Sequence, residues 1–388
     1  MRFSAFAAGS VPLLASTVAA YTAASTFGTD ILAAQGMLNL AAYEVKQALA
    51  GVRSNCSLQN VVVRQEWAAL SASEKIAYTD AVLCLMNKPS KSDPTLVPGA
   101  RSRYDDFVAT HINQTLTIHG TANFLSWHRY FVHTYEQALR NECGYKGYQP
   151  YWNWGKYAFD PLNSPVFDGS NTSMSGNGVY EPHNCTNALP TGLNCIPPGE
   201  GGGCVSSGPF KDMVVNLGPV SPTLAEPEVV SMGMNLTYNP RCLKRDISSW
   251  VSSQWTTDQN STDLIIQNPD IYWFQTVMQG DFANGVYGVH TGGHFTFGGD
   301  PGGDIFSSPG DPAFFLHHAQ IDRTWWIWQN QNLPANLKAI SGTITLNNSP
   351  PSRNGTLNDY VDLGVNAPPV QIKTLLNTLS GPFCYIYI

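Results

Sequence analysis

The sequence has few charged residues. Asp, Glu, Lys and Arg make up 13% of its 388 residues, about half of the roughly 25% found in typical soluble domains. The 21 Lys and Arg are outnumbered by 28 Asp and Glu, and no Lys/Arg cluster occurs. Nucleic-acid binding is therefore excluded as a main function, since phosphate contacts need clustered positive charge. The hydrophobic content of 43% in turn excludes a disordered chain.

Long apolar runs are absent after the first 20 residues. Arg2 is followed by an Ala-rich apolar run from Phe3 to Ala20. This run is too short to span a bilayer and has the form of a cleaved secretory signal peptide. No linker-like change in composition and no internal repeat follows it. We therefore expect a secreted protein without a membrane partner, whose residues 21–388 form a single domain.

Secretion favours disulfides, because extracellular compartments are oxidising. The eight cysteines can pair in 105 ways, and the sequence does not choose among them. Zinc binding is the alternative role for the cysteines at 185, 195 and 204, but their separations of ten and nine residues do not suit a zinc site.

N-glycans would explain how so weakly charged a protein stays soluble. Sequons begin at Asn55, Asn113, Asn171, Asn184, Asn235, Asn260, Asn347 and Asn354.

Helical periodicity dominates the sequence around its histidines. It covers residues 29–50, 101–111 and 121–142, and it resumes near 270–279 and 311–330. Asp311 can cap the last of these helices, and Pro312 suits its first position. The Gly-, Pro- and Asn-rich tract at 155–220 predicts a long irregular region. The fold class we expect is mainly α, a helical bundle around a dinuclear metal site with long loops and a few short β segments, around 343–346 and 385–387.

The histidines fall into two groups. In the first, His111 and His128 share the apolar stripes of their helices and point inward, and His119 lies between them. In the second, His290 and His294 are four residues apart, so one helical turn would bring both to one ion.

The final helix offers two adjacent histidines. His318 has apolar neighbours at helical offsets, whereas His317 faces Gln320 and Thr324 more closely. His318 is therefore the interior candidate.

Six inward histidines require a common partner. Burying an imidazole without a partner costs about 2 kcal/mol or more, and a metal ion would engage several at once. No thiolate or obvious carboxylate accompanies either group, and all-nitrogen sets with open positions suit copper that changes oxidation state. Two groups imply two ions.

These residues resemble the type 3 dicopper family of tyrosinases, catechol oxidases and molluscan-type haemocyanin domains. The segments HGTANFLSWHRYFVHTYE at 119–136 and DPAFFLHHAQIDR at 311–323 are similar to the family's two copper signatures. The resemblance covers roughly residues 95–335 and is strongest to short secreted fungal enzymes without a C-terminal lid domain. It implies two copper ions, held by His111, His119 and His128 and by His290, His294 and His318. Helical facing and the family pattern both choose His318.

The resemblance also implies the chemistry, namely oxidation of small phenolic substrates by O2, with catechols giving o-quinones. Thr117 replaces the cysteine that many fungal members link to a histidine, so we expect no thioether. Thr291 occupies a position where efficient phenol hydroxylases often have Asn. The position of the acid that accompanies that Asn in the family falls here on Asp281 or on Gln279, which is an amide and not an acid. These departures disfavour efficient hydroxylation of monophenols, and the sequence leaves open whether phenols are also ortho-hydroxylated.

The sequence gives a less specific signal for the residues of the substrate pocket. Phe295 could stack on the phenol or simply pack in the core. By the same resemblance, a residue of the loop between His294 and His318 hangs over the first copper, and Ile305 is preferred to Phe306 for this position, where it would admit substituted phenols. Asp322 and Asp311 could orient ligands or serve as structural caps and ion pairs, with Arg129 or Arg323 as the partner of Asp322.

Two other functions share part of this pattern. A haemocyanin-like oxygen carrier would use the same six histidines, but carriers of this type are multi-domain arrays with a covering domain. A dinuclear zinc hydrolase would normally recruit carboxylate ligands, which neither group has. The sequence does not indicate the oligomeric state or the natural phenol.

Overall fold

A computed structural model describes residues 27–52, 56–57, 59–187, 195–224, 234 and 236–388. The proposed signal peptide and the sequons at Asn55 and Asn235 lie outside the described residues. Within these ranges the chain is mainly helical, as the sequence predicts. None of the helices found there combines the length and the apolar character needed to cross a membrane.

The helices begin where side chains can satisfy their free backbone N–H groups. Ser71 with Glu74, and Ser102 with Asp105, form capping boxes at two of them. The α-helices are α1 (Gly28–Leu49), α2 (Ala72–Asn87), α3 (Arg103–Ile118), α4 (Phe124–Cys143), α5 (Ser249–Trp255), α6 (Asp258–Gln267), α7 (Ile271–Gln279), α8 (Gly288–Phe297) and α9 (Ala313–Gln331).

The strands are short and pair only two by two. β1 (Val62–Arg64) runs parallel to β10 (Tyr385–Tyr387), so the end of the chain pairs with a segment near its start. The β segment expected around 343–346 is reduced to one bridge from Thr343 to Asn354, because Asn347 turns the chain with a positive φ. The other antiparallel pairs join β2 (Gly178–Tyr180) to β5 (Gly202–Val205), β3 (Thr186–Asn187) to β4 (Cys195–Ile196), β6 (Val214–Val215) to β7 (Arg241–Cys242) and β8 (Tyr360–Val361) to β9 (Val370–Gln371).

All eight cysteines form disulfides, which confirms that expectation and supplies the pairing that the sequence left open. Three of the bonds link elements that are separate in the fold: α2 to the end of α4, β5 to β7, and the segment before β1 to the segment before β10. The pairs are Cys56–Cys384, Cys84–Cys143, Cys185–Cys195 and Cys204–Cys242.

Helix α9 lies at the centre of the helical assembly. Every residue from Ala313 to Asn330 is buried, because α1 and α6 pack against this helix as well as α4 and α8. A helix covered all round must satisfy its polar side chains with other protein groups.

Asp322 on α9 is the centre of a buried ionic network. Its carboxylate accepts hydrogen bonds from Arg129 Nε at 2.5 Å and from the hydroxyls of Tyr385 and Tyr387 at 2.6 Å. Burial acts to raise the pKa of Asp322, but the charges of Arg129 and Arg64 outweigh it and lower that pKa. The partner of Asp322 is therefore Arg129, and its role in this structure is to join α4, α9 and β10.

The other basic and acidic residues of α9 are paired elsewhere. Arg323 donates to Asp30 on α1 at 2.7 Å. Asp311, just before α9, accepts two hydrogen bonds of 2.7 Å from Arg245 and one of 2.8 Å from the Ala313 N–H. Asp311 thus has the structural role of capping and ion pairing.

Candidate metal centre

The first histidine cluster comes from α3, its C-terminal turn and α4. One ring nitrogen from each of His111, His119 and His128 lies within 4.8 Å of the others. The Nδ1 atoms of these rings contact the backbone carbonyls of Phe306 at 2.7 Å, Thr115 at 3.0 Å and Phe124 at 2.8 Å, respectively.

These contacts fix the tautomer of each ring. A carbonyl oxygen can only accept, so each Nδ1 must carry the proton and donate it. The Nε2 atom is then left with a free lone pair, which is the arrangement that a metal ligand needs. The Nε2 atoms of His111 and His128 are buried and have no hydrogen-bond partner.

The second cluster joins α8 to α9. His290, His294, His317 and His318 each place a ring nitrogen within 4.8 Å of the others. The Nε2 atoms of His294 and His318 are 3.1 Å apart. Two nitrogens bound to one ion at about 2 Å would be this far apart if they subtended an angle of about 100° at the ion.

Two glycines in α8 let this cluster form. A Cβ atom on Gly293 would overlap the ring of His317, and one on Gly292 would lie 2.6 Å from the Cβ of Trp255. The residues that weaken the helix in isolation therefore allow α8 to approach both α9 and α5 closely.

Burial keeps all seven histidines neutral. It is the largest influence on each ring and lowers the pKa, to about 4 for His119 and about 3 for His294. The pKa values of the other five histidines are also lowered, chiefly by burial and then by neighbouring imidazoles. Neutral imidazole is the form that binds metal.

The two clusters are adjacent. The rings of His128 and His318, one from each cluster, stack with centroids 4.5 Å apart and an interplanar angle of 17°. The centroids of His119 and His290 are 5.8 Å apart. Two neighbouring sets of neutral nitrogens, with no acidic or sulfur ligand in either set, fit two copper ions better than metals that prefer oxygen.

His317 is the residue that the sequence analysis set aside. The structure buries its ring in the second cluster, 5.1 Å from that of Trp154, and neither ring nitrogen has a hydrogen bond of normal geometry. The pair of adjacent histidines was the available signal, but helical facing and the family pattern both favoured His318. The ring of His317 is nearer to that of His294 (4.6 Å against 5.2 Å between centroids), whereas His318 places its Nε2 3.1 Å from His294 Nε2 and stacks on His128. The assignment of His318 as the ligand stays a prediction.

The predicted pocket residues occupy different surroundings. Phe295 is buried in a small cluster with Tyr287 and Val251, with its ring 5.8 Å from that of Tyr287. Ile305 is 42% exposed and directly precedes Phe306, whose carbonyl accepts from His111. Ile305 therefore lies at a surface beside the first cluster.

The two candidates for the acid position, Asp281 and Gln279, also lie in different surroundings. Asp281 is exposed and accepts from the side-chain amide of Asn284 at 2.8 Å. Gln279 accepts at Oε1 from the Gly120 N–H at 2.7 Å, and its backbone carbonyl accepts from the Thr291 hydroxyl at 2.8 Å. Gln279 and Thr291 are therefore brought together, whereas the side chain of Asp281 bonds within its own turn.

Comparison with known proteins identifies the family. The model of the common central domain of tyrosinase matches residues 101–331. The chain belongs to the tyrosinase family. Within that family it is 41% identical over 335 residues to tyrosinase P of Aspergillus terreus, covering 84% of this chain and 91% of that one.

Other relatives widen the range of activities. The N-acetyl-6-hydroxytryptophan oxidase of Emericella nidulans is 38% identical over 347 residues, covering 86% of this chain and 93% of that one. A polyphenol oxidase variant from Thermothelomyces thermophila superposes with a TM-score of 0.87 at 41% identity, covering 93% and 98%. This tyrosinase-family protein is therefore a copper oxidoreductase, with the copper ions expected at the two histidine clusters.

Copper stoichiometry will test the choice between the adjacent histidines. We expect His318→Asn to lose about one of the two copper ions, because it removes a nitrogen that faces His294. The copper affinity of the second site should fall by more than the roughly 10- to 100-fold typical of lost supporting contacts. His317→Asn should keep both. Elemental analysis of loaded, desalted protein gives the counts, with far-UV circular dichroism to confirm folding; the opposite pattern would move the ligand role to His317.

Proposed function

We propose that this protein oxidises catechols to o-quinones, with two catechols consumed for each O2 reduced to two waters. The observation that carries this proposal is the convergence of neutral histidine nitrogens from two adjacent, buried clusters. The copper pair would supply the two-electron exchange between the diphenol and O2. A haemocyanin-like carrier and a dinuclear zinc hydrolase are the alternatives, and they differ from this function in oxygen uptake and in metal content.

The protein holds the histidine ligands in one orientation and one tautomer. Each first-cluster ring is held at Nδ1 by a backbone carbonyl, so it cannot rotate or change tautomer without breaking that bond. Burial shields the imidazoles of both clusters from bulk water. Ligands that need no reorganisation between oxidation states favour electron exchange.

The exposed side chain of Ile305 supports a role at the substrate entrance. It belongs to the loop that brings the Phe306 carbonyl to His111, so it lies beside the first cluster. An aliphatic residue here would tolerate ring substituents on a phenol. Phe295 of α8 clusters with Tyr287 and with Val251 of α5, so it would hold α8 against α5.

The surroundings of Thr291 favour diphenols over monophenols. Its hydroxyl donates to the carbonyl of Gln279, and the side chain of Gln279 is an uncharged amide. Asp281 bonds to Asn284 in its own turn. A monophenol must lose its proton to be hydroxylated, and none of these three candidates is placed as a free base for that step.

Substrate comparison tests this proposal. With copper-loaded protein, we expect a catechol to be turned over about a hundredfold faster than the matching monophenol, which is the usual effect of lacking a general base. A guaiacol-type phenol should resemble the monophenol. Oxygen uptake and quinone absorbance provide the measurement.

Each alternative has its own signature in this assay. Uptake of a single O2 per metal pair, without turnover, would indicate an oxygen carrier. Zinc in place of copper in the protein before copper loading, with no near-UV absorption band after addition of hydrogen peroxide, would indicate a zinc hydrolase. Equal rates on the catechol and the monophenol would contradict the preference for diphenols.

The proposal includes secretion with removal of residues 1–20. Its support is the apolar leader, the four disulfides and the exposure of several sequon asparagines. Asn260 differs from these, because its side-chain oxygen accepts from the Thr257 N–H in the capping box of α6.

Mass spectrometry of protein from a glycosylating host tests secretion. We expect culture medium to contain a chain beginning near Tyr21, with sugar at exposed sites such as Asn171 and Asn354 and none at Asn260. Protein that stays inside the cell with residues 1–20 attached would contradict the proposal. The substitution Asn354→Gln gives the control mass for one occupied site.

A further inference from the structure

The two histidine clusters come from distant parts of the chain and need a fixed separation. The first is built on α3 and α4, and the second on α8 and α9. Their ligands meet directly where His128 stacks on His318. The Arg129–Asp322 ion pair also joins α4 to α9. What sets the spacing elsewhere is a link between the backbone beside His119 and the backbone beside His290, whose ring centroids are 5.8 Å apart.

Gln279 provides this link. Its side-chain Oε1 accepts at 2.7 Å from the N–H of Gly120, the residue that follows His119. Its backbone carbonyl accepts at 2.8 Å from the hydroxyl of Thr291, the residue that follows His290. One residue is thus bonded to the neighbours of a ligand in each cluster.

The position of Gln279 is itself constrained. It is the last residue of α7, where backbone carbonyls lack helical partners, so its carbonyl is free to accept from Thr291. The chain then turns through Gly280 and Gly288, both with positive φ. A Cβ on Gly288 would overlap the carbonyl of Val277, so α7 and α8 are pressed together at this turn.

The amide side chain of Gln279 both accepts and donates a hydrogen bond, which a carboxylate or an aliphatic side chain cannot do at this position. While Oε1 accepts from Gly120, Nε2 donates to the carbonyl of Gln275 at 3.0 Å, which holds the side chain in one orientation. A carboxylate would lack that donor, Asn would be one methylene shorter, and an aliphatic side chain would bond to neither group.

From these contacts we infer that Gln279 and Thr291 form a clamp that sets the spacing of the two metal sites. Both act as positioning residues, through the backbone next to His119 and His290. The inference rests on the proposed dicopper function. In this role the side-chain amide of Gln279 uses both of its polar atoms, Oε1 to accept from Gly120 and Nε2 to donate to Gln275.

The clamp is tested by paired substitutions at its two ends. Thr291→Val removes the hydroxyl with almost no change of shape, whereas Thr291→Ser keeps it, and Gln279→Leu removes the amide. Gln259→Leu is the matched control, because Gln259 is exposed on α6 and donates only to Asp263. The probes are a Cu(I) titration against a competing chelator and the near-UV band per bound copper after addition of hydrogen peroxide.

We expect Gln279→Leu and Thr291→Val to bind copper about tenfold more weakly, the lower end of the usual effect of losing a supporting contact, and to give a weaker band per copper. Thr291→Ser and the Gln259→Leu control should match the wild type in both readouts. Because the two ends are tested separately, misfolding of one variant leaves the other decisive.

The outcomes separate the two proposals. If the wild type binds copper and shows the band, but Gln279→Leu and Thr291→Val match it in affinity and in band intensity, the clamp is overturned and the proposed function stands. If the wild type binds no pair of copper ions, the proposed function and the clamp are overturned together.

Discussion

The structure depends on seven neutral imidazoles buried in two adjacent clusters. Burial lowers the pKa of every one of them, so none is available to form an internal ion pair at neutral pH. Several of their nitrogens have no protein partner, and unpartnered buried nitrogens are costly. A pair of metal ions resolves that cost. The surrounding carbonyls, which take the Nδ1 protons of the first cluster, make the remaining lone pairs converge.

The long helices with a clear apolar stripe were the predictable part of the fold, although α3 continues to Ile118, beyond its predicted end at residue 111. Apolar residues at helical spacing placed α1, α4 and α9 to within about three residues of their observed ends, and put His111, His128 and His318 on inward faces. The same reasoning passed over α2, although Ser71 and Glu74 form a capping box directly before its periodic run. The short helices α5 and α6 give too few turns for a clear pattern.

Contacts between residues far apart in the chain could not be predicted from the sequence. The carbonyl that fixes His111 belongs to Phe306, 195 residues away, and nothing local marks it. Gly292 and Gly293 lowered the helical signal of α8, yet their missing side chains create the room for α5 and His317. Tertiary packing here overrides propensity. The disulfide pairs and the two tyrosines that bond to Asp322 are equally products of chain topology.

Two copper ions are expected to lie side by side between α3, α4, α8 and α9. Anomalous diffraction from crystals of the copper-loaded protein, recorded on both sides of the copper absorption edge, tests it most directly. The account predicts two copper peaks, one bounded by His111, His119 and His128 and the other by His290, His294 and His318. A single peak, or an anomalous signal that appears only at the zinc edge, would contradict it.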